Sequence, residues 1–354
     1  MEKTMKAVAV FAPGDVRVVD DVPIPEPGEY EALVKTVCCG FCNGSDFQII
    51  DNTMEKSEGL QEYPTILGHE GSAYAVKLGK KVRHIQLGDR FIHNNLRPKV
   101  GNGYTKTYGG MAEYGLVVDQ QAMLEDGYLP AQIPFYKKCH AFPKKMSFED
   151  GAMLLSLSES LSAAMNFGVH EGSHVIIFGA GPMGTAVATY CRLLGAEYVA
   201  IVDNQPKRLE NAKRIANVDL TINFDEQPVA GATNGKRFDV AIDAVGMTSV
   251  IYQASALLKP YGVVGSMGVL KKHDLLINAS KLQNNTCVHM LNFPYGEYNE
   301  AMQKNIEFIT SGKIHPADFY SHIVPMDEIH RAMELVKTKQ ALKVILRVAA
   351  EDME

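Results

Sequence analysis

A glycine-rich turn between an apolar segment and a helical one restricts the fold of this chain more than any other feature. Residues 175–178 (Val-Ile-Ile-Phe) have the character of a buried strand, and residues 185–190 continue as a helical pattern. Between them stands Gly179-Ala180-Gly181-Pro182-Met183-Gly184. In such a unit the first glycine permits the tight turn, the second lets the backbone approach a pyrophosphate, and the third allows the helix to pack on the strand. The segment predicts a Rossmann-type dinucleotide site that includes Pro182 and Met183, the alternative being a glycine turn in an unliganded α/β domain.

Asp203 ends the next apolar segment, 19 residues beyond Gly184. A carboxylate at this place accepts hydrogen bonds from the hydroxyls of an adenosine ribose, and it repels a 2′-phosphate. Lys207 and Arg208 follow closely and soften that repulsion, and Arg208 is a candidate cofactor-binding residue. The sequence therefore favours NAD over NADP.

The pattern of apolar residues changes near Pro143. Before it, short alternating runs such as residues 6–10 and 32–37 are separated by Pro/Gly turns, which is typical of antiparallel β structure. After it, helix-length segments alternate with unbroken apolar strands, which indicates a parallel, doubly wound sheet. The final residues return to mixed character. A chain of 354 residues with this pattern predicts an α/β protein of two domains, with a site between them.

Composition and charge exclude several classes of function. The net charge is −6 and the basic residues form no long run, so we expect no nucleic-acid partner. No segment approaches the roughly 18 consecutive apolar residues of a membrane helix, and no secretory signal precedes the first strand. We therefore expect a cytoplasmic protein with no membrane partner, in which the six cysteines are not a disulfide framework.

Two short segments carry side chains that bind metals. The first is Cys39-Gly40-Phe41-Cys42, followed by Ser45-Asp46, and the second is Gly68-His69-Glu70-Gly71. Thiolate and imidazole are preferred ligands of zinc, and a catalytic zinc site leaves one position open for substrate. The alternatives are a redox pair for Cys39 and Cys42, and an ordinary turn for His69-Glu70.

These segments, in this order with the glycine motif, resemble the zinc-containing medium-chain alcohol and polyol dehydrogenases over nearly the whole chain. The resemblance implies a GroES-like, mostly antiparallel β catalytic domain at 1–155, a Rossmann NAD-binding domain at 156–292, and a return to the catalytic domain at 293–354. It also implies that Cys42 and His69 bind the catalytic zinc. Glu70 is then an alternate ligand or a group that reaches the metal through water.

The sequence departs from the family pattern in three places. Asn43-Gly44 adds one residue before Ser45-Asp46. Leu155 stands where the family has a further zinc ligand, and leucine cannot bind zinc; Glu159, one helical turn on, is a candidate substitute. Residues 94–110 replace the lobe that carries four cysteines in many relatives and contain no cysteine. We therefore expect one catalytic zinc and no structural zinc.

The resemblance implies hydride transfer between a secondary alcohol and NAD, with zinc as the Lewis acid and the reverse reduction of a ketone equally available. Ser45 is the expected first hydroxyl of a proton relay, since Gln48 stands where many relatives have a relay histidine. Polar residues at 93–95 (His-Asn-Asn), in the place of an apolar pocket lining, favour a polyol, sugar or sugar-derived substrate.

Two other functions remain open from the sequence. One is a zinc-free reductase of enones or quinones, which Leu155 favours and the pair Cys42 and His69 opposes. The other is a nucleotide-binding protein without turnover, which the glycine motif equally permits. The family resemblance further implies a homodimer or homotetramer joined through the edge of the nucleotide sheet, near residues 263–268.

Overall fold

The computed structural model describes residues 3–53, 62–134, 139–270, 273–291 and 298–351. The chain divides into two compact units. The first unit contains Met1–Leu155 and Tyr320–Glu354, and the second contains Ser156–Phe319.

Eighteen strands are present in the described residues. In chain order they are β1 Thr4–Ala12, β2 Asp15–Pro23, β3 Glu31–Phe41, β4 Thr65–Ile66, β5 Glu70–Leu78, β6 Arg90–Ile92, β7 Lys99–Gly101, β8 Tyr104–Lys106, β9 Tyr114–Val118, β10 His140–Phe142, β11 His174–Phe178, β12 Tyr198–Asp203, β13 Leu220–Asn223, β14 Phe238–Asp243, β15 Leu258–Ser266, β16 Cys287–Met290, β17 His322–Pro325 and β18 Val344–Arg347.

Nine α-helices are present in the same part of the chain. They are α1 Ser45–Ile50, α2 Gln120–Glu125, α3 Phe148–Asn166, α4 Pro182–Leu193, α5 Pro206–Ala216, α6 Val229–Ala232, α7 Thr248–Ser255, α8 Tyr298–Thr310 and α9 Ile329–Lys337. A search of the described residues finds no helix with the length and apolar character that crossing a bilayer demands.

The first unit is built from two sheets. One has the strand order β2-β1-β4-β8-β7, and the other has the order β10-β6-β5-β3-β18-β17 with β9 also paired to β3. Most of the pairs are antiparallel, the exceptions being β4 with β8 and β17 with β18. In β1 the side chains of Val8 and Val10 pack into one core cluster and those of Ala7 and Ala9 into another, so this part of the strand is buried on both faces. The GroES-like fold expected for this part is confirmed.

The main core of the first unit joins segments distant in sequence. Apolar side chains of β1 and β3 pack with those of α1, α9 and β18, among them Val8, Phe41, Ile49, Met333 and Leu346. This packing brings the last 35 residues back onto the unit that the first 155 residues begin. The end of β3, from which the chain continues to Cys42, is thereby held in a buried position.

The second unit contains a six-stranded sheet in the order β13-β12-β11-β14-β15-β16. All of its pairs are parallel. The unbroken apolar strands at 175–178 and 198–202 occupy its middle, where both faces are covered and no polar alternation is possible. The predicted Rossmann-type sheet is confirmed.

The division of the chain differs from the sequence prediction at one boundary. Residues 298–319 belong to the second unit, although the return to the first domain was expected from 293; residues 293–297 lie outside the described part. The reason is a buried polar chain. Tyr190 donates a hydrogen bond of 2.6 Å to Asn305 of α8, and Asn305 donates one of 3.0 Å to Ser158 of α3. These hydrogen bonds hold α8 against the second unit. The residues that flank Asn305 in the sequence do not predict them.

Candidate metal and nucleotide sites

Strand register brings Cys42 and His69 together. Strands β3 and β5 are antiparallel, and Gly40 near the end of β3 pairs with Glu70 at the start of β5. Cys42 follows the end of β3 and His69 precedes β5, so the two side chains leave the sheet at the same end. The predicted thiol and imidazole therefore come from neighbouring strand ends, which are fixed by the backbone ladder.

Glu70 is buried and lies against a lysine that the sequence analysis did not include. On the other edge of β3, Gly40 pairs with Ile345 of β18, and Lys343 directly precedes that strand. The ammonium of Lys343 lies 2.5 Å from one Glu70 carboxylate oxygen and 2.6 Å from the other. A Cβ on Gly40 would stand 2.0 Å from Glu70 Oε2, so the pair requires glycine at this position.

Ser45 and Asp46 complete the surroundings of the two ligand candidates. The Ser45 hydroxyl lies 3.3 Å from Cys42 Sγ and 3.3 Å from His69 Nε2. Asp46 is fully buried and accepts a hydrogen bond of 2.8 Å from the Cys42 amide. Its other oxygen faces His69 Nδ1 at 3.6 Å. The loop with the added residue thus closes on itself, with Gly44 as the N-cap of α1.

The electrostatics of this group favour a thiolate beside a charged imidazole. Burial raises the pKa of the Cys42 thiol, but the interaction with His69 outweighs it and lowers that pKa below its ordinary value. Burial lowers the pKa of His69, but Asp46 and Cys42 raise it well above the usual range. Burial likewise opposes the charge of Lys343, and Glu70 together with Cys42 raises its pKa. The protein therefore stabilises the thiolate, which is the metal-binding form of cysteine.

The donor set fits one divalent metal ion. Ligand atoms of Cys42, His69 and Glu70 all lie within 4.8 Å of one another, and this is the one such group found among the described residues. Ligands around one zinc ion stand about 3.5 Å apart, so small side-chain rotations suffice for binding. Cysteine sulfur, histidine nitrogen and carboxylate oxygen are each protein donors that bind zinc.

Other sequence candidates occupy different environments. Cys39 is fully buried in the core of the first unit, where burial raises its pKa well above the ordinary value. It is therefore a core residue and not a partner of Cys42 in redox chemistry. Glu159 is half-buried in the part of α3 that belongs to the second unit, and Leu155 is the last residue of the first unit in that helix.

The polar residues at 93–95 serve the interior of the first unit. Asn94 donates a hydrogen bond of 2.9 Å to Thr36, and Asn95 accepts from Lys106 and from the amide of Leu96. Asn94 and Asn95 are 1% and 4% exposed. These internal bonds engage the Asn94 amide nitrogen and the Asn95 amide oxygen, and the polar pocket lining expected at residues 93–95 stays a prediction.

Lys343 and Asp46 lie beside Glu70 and His69, and neither was assigned a role from the sequence. Asp46 directly follows Ser45 in the sequence, and this position alone does not predict that its carboxylate faces His69. The sequence did contain an indication for Lys343, which directly precedes the apolar strand 344–346 and is buried. A lysine is almost never buried without a charged partner, so this position predicts an acidic side chain beside it.

The glycine motif has the conformation that the sequence predicts. Gly179 has a positive φ of 100°, Gly181 is the N-cap of α4, and Pro182 is the first residue of that helix. A Cβ on Gly184 would stand 1.8 Å from the carbonyl oxygen of Gly179, which excludes any side chain. Met183 is the next residue of the helix, and its sulfur lies 3.7 Å from the Ser160 hydroxyl.

Asp203 organises the backbone around this turn. Its Oδ2 accepts a hydrogen bond of 2.8 Å from the Ala180 amide, and its Oδ1 accepts from the amides of Asn204 and Gln205 at 2.8 and 2.9 Å. Arg208 Nη1 lies 3.9 Å from Asp203 Oδ2. The structure thus brings the glycine turn, Asp203 and Arg208 into one place, as the spacing in sequence predicts.

Two family models match the chain. One is described as "Zinc-binding dehydrogenase" and matches residues 182–311, and the other is "Alcohol dehydrogenase GroES-like domain" and matches residues 28–126. The match to each model falls within the unit that has the corresponding fold.

Named enzymes from other organisms are similar in sequence to almost the whole chain. The sorbitol dehydrogenase of Bombyx mori is 28% identical over 353 residues, which cover 97% of this chain and 98% of that protein. Sorbitol dehydrogenase of Homo sapiens is 27% identical over 367 residues, covering 98% and 96%. Benzyl alcohol dehydrogenase from Acinetobacter calcoaceticus has a TM-score of 0.82 at 19% identity, covering 98% of this chain and 100% of that chain, a likeness of fold. The chain belongs to the zinc-type family of medium-chain alcohol and polyol dehydrogenases.

Proposed function

We propose that this protein is a zinc-dependent dehydrogenase that transfers hydride between the carbinol carbon of a polyol and NAD. The observation that carries the proposal is the group of Cys42, His69 and Glu70, whose ligand atoms all lie within 4.8 Å of one another and in which the interaction with His69 lowers the pKa of the Cys42 thiol. The resemblance to sorbitol dehydrogenases is the reason for proposing a polyol, and not an aromatic or simple alcohol, as the substrate of this protein.

Each residue of the metal group has a separate task. A divalent ion held there supplies Lewis acidity toward the substrate oxygen. Cys42 and His69 are the proposed protein ligands, and the Glu70 carboxylate is the third candidate. Lys343 neutralises Glu70, which keeps the total negative charge of the site low. A less negative ligand set leaves a bound ion more electrophilic toward the substrate.

Ser45 is the proposed first acceptor of the substrate proton. Its hydroxyl lies 3.3 Å from both Cys42 Sγ and His69 Nε2, so it is next to the place where an ion between these atoms would hold an alcohol. A hydroxyl both accepts and donates, which allows it to receive a proton and pass it to water or to a ribose hydroxyl. Gln48 does not titrate and takes no part in this relay.

Asp203 supports NAD as the preferred cofactor. A carboxylate offers about four lone-pair directions, and three of those on Asp203 are used by backbone amides. One remains for a ribose hydroxyl, and a 2′-phosphate would meet the negative charge. We expect Asp203→Asn to reduce the ratio of NAD to NADP affinity by about tenfold. Calorimetric titration with both cofactors measures that ratio.

The identity of the third ligand is decided by zinc content. Glu70→Gln is expected to lower the zinc content of purified protein, because the carboxylate lies within 4.8 Å of the other two ligand atoms. Glu159→Ala is the matched variant for the sequence-based candidate. Retained zinc in Glu159→Ala removes Glu159 from the ligand set, retained zinc in Glu70→Gln removes Glu70, and retained zinc in both variants leaves water as the third ligand.

The proposed activity is tested by formation of NADH with a panel of polyols, sugars and simple alcohols, before and after treatment with a chelator. We expect the highest rate with a polyol, loss of activity on chelation and recovery on addition of Zn²⁺. Activity on enones that survives the chelator would favour a zinc-free reductase. Tight NAD binding with no turnover on the whole panel would favour a nucleotide-binding protein.

A further inference from the structure

The side chain of Tyr108 lies against the ring of His69. The two ring centroids are 4.8 Å apart, and the ring planes are inclined by 48°. This separation falls within the range of attractive aromatic pairs, about 4.5–7 Å.

The polar contacts of His69 do not fix its ring by themselves. Its Nδ1 is 3.6 Å from Asp46 Oδ1, which is too long for a good hydrogen bond. Its Nε2 has the Ser45 hydroxyl at 3.3 Å and Glu70 Oε1 at 3.9 Å, and the Cys42 thiol is a further polar partner of the ring. Because none of these distances is that of a short hydrogen bond, packing on the face of the imidazole adds a further limit to its rotation about the bond to Cβ.

The backbone places Tyr108 opposite His69. The amide of Gly110 donates a hydrogen bond of 2.6 Å to the carbonyl of Gly68, and the amide of Met111 donates one of 2.9 Å to Leu67. Residues 107–111 therefore run directly beside the segment that leads into His69. The Tyr108 ring is half-buried and also packs against the apolar core of the first unit, so it is itself held in place.

We propose that Tyr108 is a positioning residue for the metal site, which sets the plane of the His69 imidazole and so the direction in which Nε2 presents its lone pair to the ion. The inference rests on the proposed function, since it assigns a task at the same site. It depends on the ring of Tyr108 and not on its hydroxyl, so phenylalanine is expected to serve equally well at this position.

The test compares metal binding by four proteins that carry no substrate or cofactor. Tyr108→Leu removes the ring and keeps apolar bulk, and Tyr108→Phe keeps the ring. Tyr114→Leu is the matched control, because Tyr114 is a half-buried tyrosine of the next strand that packs against a different core cluster. Affinity for Zn²⁺ is measured by competition with a chelator, and the geometry of the site is measured by the visible absorption of bound Co²⁺.

We expect Tyr108→Leu to bind Zn²⁺ about tenfold more weakly than the wild type and to show a changed Co²⁺ spectrum. Tyr108→Phe and Tyr114→Leu are expected to match the wild type in both measurements. Circular dichroism checks folding, and Tyr108→Met provides the same comparison should Tyr108→Leu fail to fold.

Wild-type affinity and spectrum in Tyr108→Leu would overturn the positioning role while leaving the metal site intact. An equal loss in Tyr108→Phe would also overturn it, since the ring would then not be the cause. Wild-type protein that binds neither ion would overturn both this inference and the proposed function, so the two failures are distinguishable.

Discussion

The buried pair of Glu70 and Lys343 is the clearest case in which one residue depends on another. Their side chains are 2% and 5% exposed, and the charges are 2.5 Å apart. Removing charges from water costs several kcal/mol per ion, which a close partner offsets. The intact pair therefore adds little to the free energy of unfolding, whereas removing one partner leaves a buried, unpaired charge that strongly destabilises the fold.

Lys343→Met is expected to destabilise metal-depleted protein by about 3–5 kcal/mol, because it leaves the Glu70 carboxylate buried without its cation. Urea unfolding followed by circular dichroism measures the change. The double variant Glu70→Gln/Lys343→Met is expected to recover most of the loss. Lys81→Met breaks an exposed pair with Glu29 and serves as the control, with an expected change below about 1 kcal/mol. Equal effects of Lys343→Met and Lys81→Met would contradict this account.

At the scale of elements, the contact of β11 with α4 depends on Gly184. A methyl group there would meet the Gly179 carbonyl at 1.8 Å, so the helix must move away from the strand. Gly184→Ala is expected to cost about 1–3 kcal/mol and to weaken NAD binding. Gly231→Ala in α6 is the control, because a Cβ at Gly231 has no atom within 4 Å. Thermal unfolding with and without NAD measures both effects, and unchanged cofactor affinity in Gly184→Ala would contradict the proposed role of the turn.

The nucleotide sheet also contains a carboxylate whose contribution to stability depends on pH. Burial raises the pKa of Asp239, but the amide of His174 at 2.8 Å and the ammonium of Lys259 at 2.9 Å lower it below its ordinary value. A carboxyl group with a lowered pKa in the folded state stabilises the protein above its unfolded-state pKa, and loses that effect as the pH falls through the folded-state pKa.

Asp239→Asn is therefore expected to be less stable than the wild type by about 0.5–1 kcal/mol at neutral pH, a small value since solvent screens the pair. The difference should persist from pH 7 to pH 5 and shrink as the pH falls below 3.8, the ordinary pKa of an aspartate carboxyl group. Urea unfolding across this range measures it, with the exposed Asp225→Asn as control. A difference that grows on acidification would refute the assignment.

The features that could be predicted from the sequence are those whose residues lie close together along the chain. The glycine turn and Asp203 lie within 25 residues of each other, and one βαβ unit determines their geometry. Cys42 and His69 were recognised from their flanking residues. Lys343 was not, because it is 273 residues from Glu70 and meets it only through the register of β3 with two other strands. The assignment of α8 to the second unit was not predicted for the same reason, because Asn305 forms hydrogen bonds to residues more than 100 positions away.

At the scale of the whole molecule, the open question is self-association. The region expected to join subunits, residues 263–268, includes the end of β15, which is paired on both sides and so is not at an edge. The described sheet ends instead at β16, where Cys287 is exposed. Nearby in sequence, Leu276 is 90% exposed, and Tyr261 at the turn within β15 is 81% exposed. An open strand edge and large exposed apolar side chains are features of subunit contacts.

We propose that two copies associate through this part of the second unit. Sedimentation is expected to give a mass of at least twice that of the 38.9 kDa chain. Leu276→Lys is expected to shift the protein toward monomer, whereas Leu129→Lys, which changes an exposed leucine in the first unit, is not. A wild-type monomer at micromolar concentration would contradict the proposal.

The central claim is that Cys42 and His69, with Glu70 as the candidate third ligand, hold one metal ion, and metal analysis of purified protein tests it most directly. Elemental analysis is expected to find one zinc per chain in the wild type and in Cys287→Ser, whose thiol is exposed and distant in sequence from the site. Cys42→Ser and His69→Asn are expected to contain little zinc while remaining folded and able to bind NAD. Zinc at the wild-type level in both ligand variants, or none in the wild type, would contradict the account.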